Sequence, residues 1–221
     1  VKILLASKYL LAYIALMKNT DKQKQSRKST EVRQVEIVDA AMKILTVEGA
    51  RQFTADRLGA EVGLASGSIF RHFSSMEEIL DSVVDRIEEI IFADFPPQAD
   101  NPLESLRLFF EARVQAIVEH PEVSKLLLTS ILIPNGNNSD RERRLTEFKL
   151  RSRHFVKDCL KQAKTDGLLS RDVSHEESSV LILGAIYAVG HMAIGVTQNR
   201  TDRDLIKRIW NLLERSLTNR G

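Results

Sequence analysis

The chain has 221 residues, 43% of them hydrophobic and 28% charged, which is ordinary for a soluble protein and enough for one large or two small domains. Ten Gly, five Pro and few alternating β-branched runs favour an all-helical protein. The single cysteine, Cys159, excludes an internal disulfide, and the net charge of +2 is informative only through its distribution.

Residues 3–17 are mostly apolar, but Lys8 interrupts them and the run falls short of the ~20 residues a membrane-spanning helix needs. No clean small-residue cleavage site follows, so export is not expected. Two readings stay open: an extra helix packed on a neighbour, or a start at Met17 with residues 1–16 absent from the cellular protein. Residues 18–30 are polar throughout and are expected to be flexible. Residues 1–30 hold seven basic residues and one acid, a net +6 that leaves −4 for the rest. Such an arm either lies against phosphate or a minor groove, or is a solvated tail.

A first helix is predicted from Glu31 to Glu48, with Val35, Val38, Met42 and Leu45 at helical spacing and Gly49 as its stop. Phe53 is expected to plug the core beneath it. Thr54 is an N-cap type, Asp56 suits the positive end of a helix, and Leu58 and Val62 face inward at i, i+4. Gly63 is placed where the helix must stop with positive φ. A second short helix starts near Ser66 and carries Ile69, Phe70 and Phe73. Two short helices joined by a tight turn form the helix-turn-helix pattern.

Further helices follow. Ser74 with Glu77 reads as a capping box, opening a helix with an apolar face from Ile79 to Ile91 that ends before Pro96-Pro97. Asn101, Pro102 and Glu104 mark another start, and His120-Pro121 marks its end. A shorter helix runs to about Ile133, a loop covers residues 134–139, and a long helix runs from Ser139 to Thr165, stopped by Asp166-Gly167. The arginines of that helix, Arg141, Arg143, Arg144, Arg151 and Arg153, read as a solvated face. Ser174 with Glu177 starts the next helix. Its stretch from Val180 to Ile194 is almost wholly apolar and reads as buried, and Gly184, Ala188 and Gly190 allow close approach of another helix. The last helix is predicted from Thr201 to Thr218.

The run Gly63-Leu64-Ala65-Ser66-Gly67-Ser68-Ile69-Phe70-Arg71-His72-Phe73, followed by Ser74-Ser75-Met76-Glu77-Glu78-Ile79-Leu80, resembles the TetR family of bacterial transcriptional regulators, whose pattern is roughly G-V-S-x-G-x-L-Y-x-H-F, a short turn, then K-E-x-L. The resemblance implies an all-α protein: a three-helix helix-turn-helix DNA-binding domain at 31–76 after an extension at 1–30, then a helical ligand-binding and dimerisation domain at 77–221. It implies a cytoplasmic homodimer on a palindromic DNA operator, acting as a repressor released by an unknown small-molecule effector. It also implies that the last two helices pair with their copies in a four-helix bundle. Three positions depart from the pattern. Ala65 replaces a usual Ser, Thr or Pro, Phe70 a usual Tyr, and Met76 a usual Lys, and each change removes a group able to touch the DNA backbone. Phosphate contacts supply much of the affinity in such proteins, so weaker or differently anchored DNA binding is expected.

The resemblance and the exposed start of the second helix nominate Thr54, Arg57, Ser66, Gly67, Ser68, Phe70, Arg71 and His72 for contact with DNA. Ser66 and Ser68 sit where side chains reach base edges, Arg71 suits a phosphate or guanine, and His72 matches the family histidine that donates to a phosphate. Core packing for Phe70 and an ordinary helix-face charge for Arg57 weigh equally. His191, in the apolar helix, reads as a core histidine with one hydrogen-bond partner. Phe109, Phe110, Arg113, Tyr187, His191 and Met192 read either as pocket lining or as ordinary core. No catalytic constellation and no metal-ligand spacing among the five histidines stands out, so neither an enzyme nor a cofactor is expected. A helical interaction module with a weakened DNA-binding motif is the alternative, supported by Phe70 and Met76.

Overall fold

The computed structural model describes residues 29–133, 139–196 and 203–218. The expectations for the extension at 1–28, for the loop at 134–138 and for the start of the last helix at Thr201 lie outside them. Among the described residues the regular structure is all helical: α1 (Thr30–Val47), a 3₁₀ turn (Ala50–Gln52), α2 (Ala55–Val62), α3 (Ser66–Ile69), α4 (Met76–Ile91), α5 (Pro102–Glu119), α6 (Pro121–Leu128), α7 (Ser139–Thr165), α8 (His175–Val196) and α9 (Arg203–Thr218). The chain folds as two compact units. One runs up to Glu89 and takes in Lys125–Arg141; the other comprises Ile90–Ser124 and the chain from Glu142 onward.

In the first unit the punctuation of the sequence is visible. The Ser29 hydroxyl accepts from Val32 N–H to start α1, and Gly49 at φ +88° lets the chain leave it. The Thr54 hydroxyl accepts from Arg57 N–H at 3.2 Å to start α2, and Gly63 at φ +69° closes it. Ile37, Ile44, Leu58, Ile69, Ile79, Val83, Val84 and Ile87 are fully buried; Phe53 is only partly so. The capping box at the start of α4 is shifted by one residue from the predicted pair. The Ser75 hydroxyl accepts from Glu78 N–H at 3.1 Å, and the Glu78 carboxylate accepts from the Ser74 N–H and hydroxyl.

Glu77 is engaged elsewhere, and with it the reading of Arg141 as solvated is corrected. Arg141 is 2% exposed. Its guanidinium donates to Glu77 Oε2 and Asp81 Oδ1, each at 2.9 Å, and to the backbone carbonyls of Leu132 at 2.9 Å and Glu77 at 3.2 Å. Four acceptors use most of its donors, which is what burial of a charge requires. Lys125 Nζ donates to the carbonyl of Thr46 from the same returning segment. Helix α6 ends at Leu128, earlier than predicted.

In the second unit α8 and α9 pack on α5 and on each other. Leu106, Phe109, Phe110, Val114, Val156, Leu160, Ile182, Ile186 and Trp210 form the centre of the core. Asn101 Oδ1 accepts from Glu104 N–H at 2.9 Å and the Ser174 hydroxyl from Glu177 N–H at 3.4 Å, as predicted. Gly190 permits a close crossing, since a Cβ there would lie 2.6 Å from Ile117 Cγ2. The expectation of a buried α8 holds for one face only. Ile182, Ile186 and Val189 are buried, whereas Val180, Leu181 and Met192 are more than half exposed because the single chain covers only one side of the helix. His191 is exposed and not a core residue; its Nε2 lies 3.0 Å from the Ser124 hydroxyl.

Candidate nucleic-acid interface

The turn between α2 and α3 is built from backbone fit. A Cβ on Gly59 would lie 2.6 Å from the Leu64 carbonyl oxygen, so glycine allows the chain after Gly63 to fold back on α2. The Leu64 N–H donates to the Gly59 carbonyl at 2.8 Å. Ala65 is the N-cap of α3 and makes no side-chain cap. Beyond Ile69 the chain continues in turns, with Arg71 N–H bonded to the Ser68 carbonyl and His72 N–H to that of Ile69.

Burial alternates along this stretch. Ile69 and Phe73 are buried in the unit; Gly67, Phe70 and Arg71 are exposed, and Ser66, Ser68 and His72 are intermediate. Phe70 is 47% exposed, which removes the core-packing alternative for it. His72 is partly tied down: its carbonyl accepts from Gln34 Nε2 at 2.8 Å, and its Nδ1 is buried without a partner. A phosphate contact by this ring would therefore use Nε2.

Thr54 and Arg57 occupy the start of α2. The Thr54 hydroxyl is used as the cap. Arg57 holds Glu48 at 2.6 Å and Glu61 at 2.7 Å, and these bonds raise its already high pKa, the Glu48 bond first. The same guanidinium lowers the Glu48 pKa; at Glu61 the bond from Lys43 lowers it first and Arg57 second. Arg57 thus has its charge answered within the protein, whereas Arg71 is exposed at the end of the short helix. An open cleft of about 410 Å³ in this unit is lined by Glu36, Asp39, Lys43 and Glu61, among others. With three carboxylates to one lysine it has the wrong sign for phosphate.

The family model described as "Bacterial regulatory proteins, tetR family" matches residues 37–83, the span that holds this turn. Residues 37–83 thus carry a TetR-family DNA-binding domain. Through a TetR-type helix-turn-helix in its first unit, the chain is a DNA-binding transcriptional regulator. It is 25% identical to the HTH-type transcriptional regulator SrpR of Pseudomonas putida over 199 residues, covering 86% of this chain and 89% of SrpR. It is 32% identical to the HTH-type transcriptional repressor KstR2 of Mycobacterium tuberculosis over 91 residues, 40% of this chain and under half (46%) of KstR2. The solved KstR2 structure shares the fold throughout, with a TM-score of 0.68 over 89% of this chain and 97% of that one at 20% identity. AibR, solved in complex with isovaleryl coenzyme A and operator DNA, matches with a TM-score of 0.63 over 84% and 98% of the two chains at 16% identity. Among the described residues no helix is long and apolar enough to cross a membrane, and no group of His, Cys, Asp and Glu could hold a metal ion.

Sequence reasoning missed Arg141 with its acceptors, and of an arginine–phenylalanine cluster in the second unit it names only Phe109 and Arg113, as pocket lining or core. That cluster draws Phe92, Phe95, Phe109, Phe148 and Phe155 into a run of edge-on and tilted rings 5.1–6.1 Å apart. Arg113 Cζ stands 4.5 Å from the Phe92 centroid and Arg151 Cζ 3.9 Å from the same centroid. The i, i+3 and i, i+4 spacing of Phe148, Arg151, Ser152 and Phe155 is a signal in the sequence, but their meeting with Phe92 and Phe95, which lie past the end of α4, is not.

Proposed function

We propose that the protein is a cytoplasmic homodimeric repressor that reads a palindromic operator and is released by a small-molecule effector bound in its second unit. The observation that carries the DNA half of this reading is the burial pattern of the turn: Ile69 and Phe73 anchor it while Gly67, Phe70 and Arg71 face solvent. Ser66, Gly67, Ser68, Phe70, Arg71 and His72 are assigned to the DNA face, with Thr54 and Arg57 holding the start of α2 at its edge. Two such faces in a dimer would meet half-sites about 34 Å apart, one turn of DNA. The exposed apolar residues Val180, Leu181 and Met192 on α8 and Leu212 on α9 support pairing of these helices with a second copy. The isovaleryl coenzyme A bound to AibR supports an effector with an acyl portion. Such a ligand shifts the protein only by its difference in affinity for the DNA-bound and free states.

The test is binding of the purified protein to fragments of its own upstream DNA, beside scrambled DNA, at several salt concentrations. Specific binding with a palindromic footprint is expected, and Ser68→Ala and His72→Ala should each weaken it by about tenfold or more. Because Ala65, Phe70 and Met76 supply no polar group, the fall with salt should be shallower than for a relative with polar side chains at all three positions. Absence of any preference over scrambled DNA would favour the weakened-motif reading, which the exposed, hydroxyl-free Phe70 and the uncapped α3 support.

A further inference from the structure

Arg113 is an unusual core residue. It is 9% exposed and lies among Phe92, Phe95 and Phe109, its Cζ 4.5, 5.9 and 5.0 Å from their ring centroids. Its hydrogen bond is to the Ser152 hydroxyl at 3.3 Å, and among the described residues no carboxylate lies within ion-pair distance of it. Stacking on phenyl faces answers part of the charge. It leaves most of the five guanidinium donors unused, whereas buried charges are ordinarily paired. Burial accordingly pushes the Arg113 pKa down to about 10, and the neighbouring Arg151 pushes it the same way.

Arg151 sharpens the problem. It stacks on two of the same rings, its Cζ 3.9 Å from Phe92 and 4.9 Å from Phe95. A structural cation–π plug needs one guanidinium; a second beside it adds repulsion. Two guanidiniums thus stand within 4.5 Å of one ring centroid, and each offers the paired N–H donors that suit a planar oxyanion. The phenyl rings beside them suit an apolar body attached to that anion. Arg113 is buried and Arg151 exposed, so the two stand at different depths of the unit.

We propose that Arg113 and Arg151, with the rings of Phe92, Phe95, Phe109 and Phe155, form the head-group end of an effector site for an organic oxyanion, a carboxylate or a phosphate monoester, carried on an apolar body. The assignment rests on the reading of the second unit as the effector-binding half.

The experiment is calorimetric titration of the full chain with decanoate, decyl phosphate and, as the neutral match, decanol. The wild type is expected to bind at least one of the two anions tenfold or more tightly than decanol. Arg151→Gln and Arg113→Gln should each lose at least tenfold for the anion and leave decanol unchanged. Preference for decanoate would identify a free acid, preference for decyl phosphate a phosphorylated carrier. Equal binding of anion and decanol, no binding of either anion, or an Arg151→Gln protein that binds the anion as the wild type does would overturn the proposal. Arg151 is exposed, so its variant carries the test if Arg113→Gln fails to fold. DNA binding is measured on the same preparations. Arginine-dependent anion binding without specific DNA binding upholds the site and rejects the repressor reading; specific DNA binding without anion binding does the reverse.

Discussion

Two segments of the first unit are held by opposite means. Residues 54–73 are specified locally: a capping threonine, a glycine at φ +69° and apolar residues at helical spacing decide where each turn goes. Residues Lys125–Arg141 belong to the same unit but arrive from about 60 residues further along, and polar bonds fasten them there. Arg141 reaches back to Asp81 and Glu77, and Lys125 to Thr46. A local device fails when its geometry is violated. A long-range clamp fails when one partner is removed.

The largest expected effect comes from violating the local geometry at Gly59. Replacing a helical glycine by alanine ordinarily gains up to about 1 kcal/mol. Here the new Cβ would meet the backbone oxygen of Leu64 at 2.6 Å, and backbone cannot swing aside as a side chain can. Gly59→Ala is therefore expected to cost about 2–3 kcal/mol of stability and to weaken specific DNA binding with it. Gly67→Ala is the control, because a Cβ there meets nothing within 4 Å. Urea midpoints of the two variants separate the cases; equal midpoints would mean that the close turn does not determine stability.

Removing the clamp comes next. Arg141→Ala strips Leu132 O of its bond and leaves Glu77 and Asp81 without their cation. The two carboxylates are half exposed, at 59% and 50%, and can be rehydrated, so the loss is expected at about 1–2 kcal/mol and not the 3–5 of a fully buried pair. Arg143, two residues on, pairs with Glu147 at 2.6 Å with both side chains more than half exposed. Its alanine variant should change stability by less than about 0.5 kcal/mol. The two urea midpoints must differ if burial, and not the mere presence of an ion pair, fixes the returning segment.

The same contrast explains what the sequence discloses. The caps at Thr54, Asn101 and Ser174 and the stops at Gly49, Gly63 and Gly167 follow from local chemistry, and the helices lie close to where it puts them. The turn and its buried anchors Ile69 and Phe73 are legible for that reason, whereas the exposure of Phe70 between them is not. Arg141 looks like Arg143 in a charged run, and nothing local distinguishes a buried guanidinium from a solvated one. The shift of the capping box from Ser74 and Glu77 to Ser75 and Glu78 has the same origin, because Glu77 is drawn to Arg141. The arginine–phenylalanine cluster is legible only in part: Phe109 and Arg113 are named as pocket lining or core, but the rest of its members come from segments far apart in sequence, which local spacing does not bring together.

An effect confined to one pH window lies at Glu89, the residue at which the first unit's leading segment ends. Arg86 lies 3.5 Å from its carboxylate and 3.6 Å from that of Asp39, yet neither Arg86 Nε nor Glu89 Oε2 has a hydrogen-bond partner. Desolvation therefore dominates, and raises the Glu89 pKa from the ordinary 4.5 to about 7, against the pull of Arg86 and helped by Asp85 and Glu88. Between those values the folded chain holds a proton that the unfolded chain has released, so stability falls as pH rises from about 4.5 to about 7. Glu48, Glu61 and Glu78 are shifted the other way by their hydrogen bonds and act below that window, where stability is lost as pH falls. Glu89→Gln should remove the upper slope alone, a difference on the order of 1 kcal/mol at pH 8 that vanishes near pH 4.5. Parallel urea midpoints for wild type and variant from pH 4.5 to pH 8 would show that this carboxyl is hydrated and that its unsatisfied oxygen costs nothing. Converging midpoints at low pH would make the Glu89 carboxyl a titrating source of strain in the first unit.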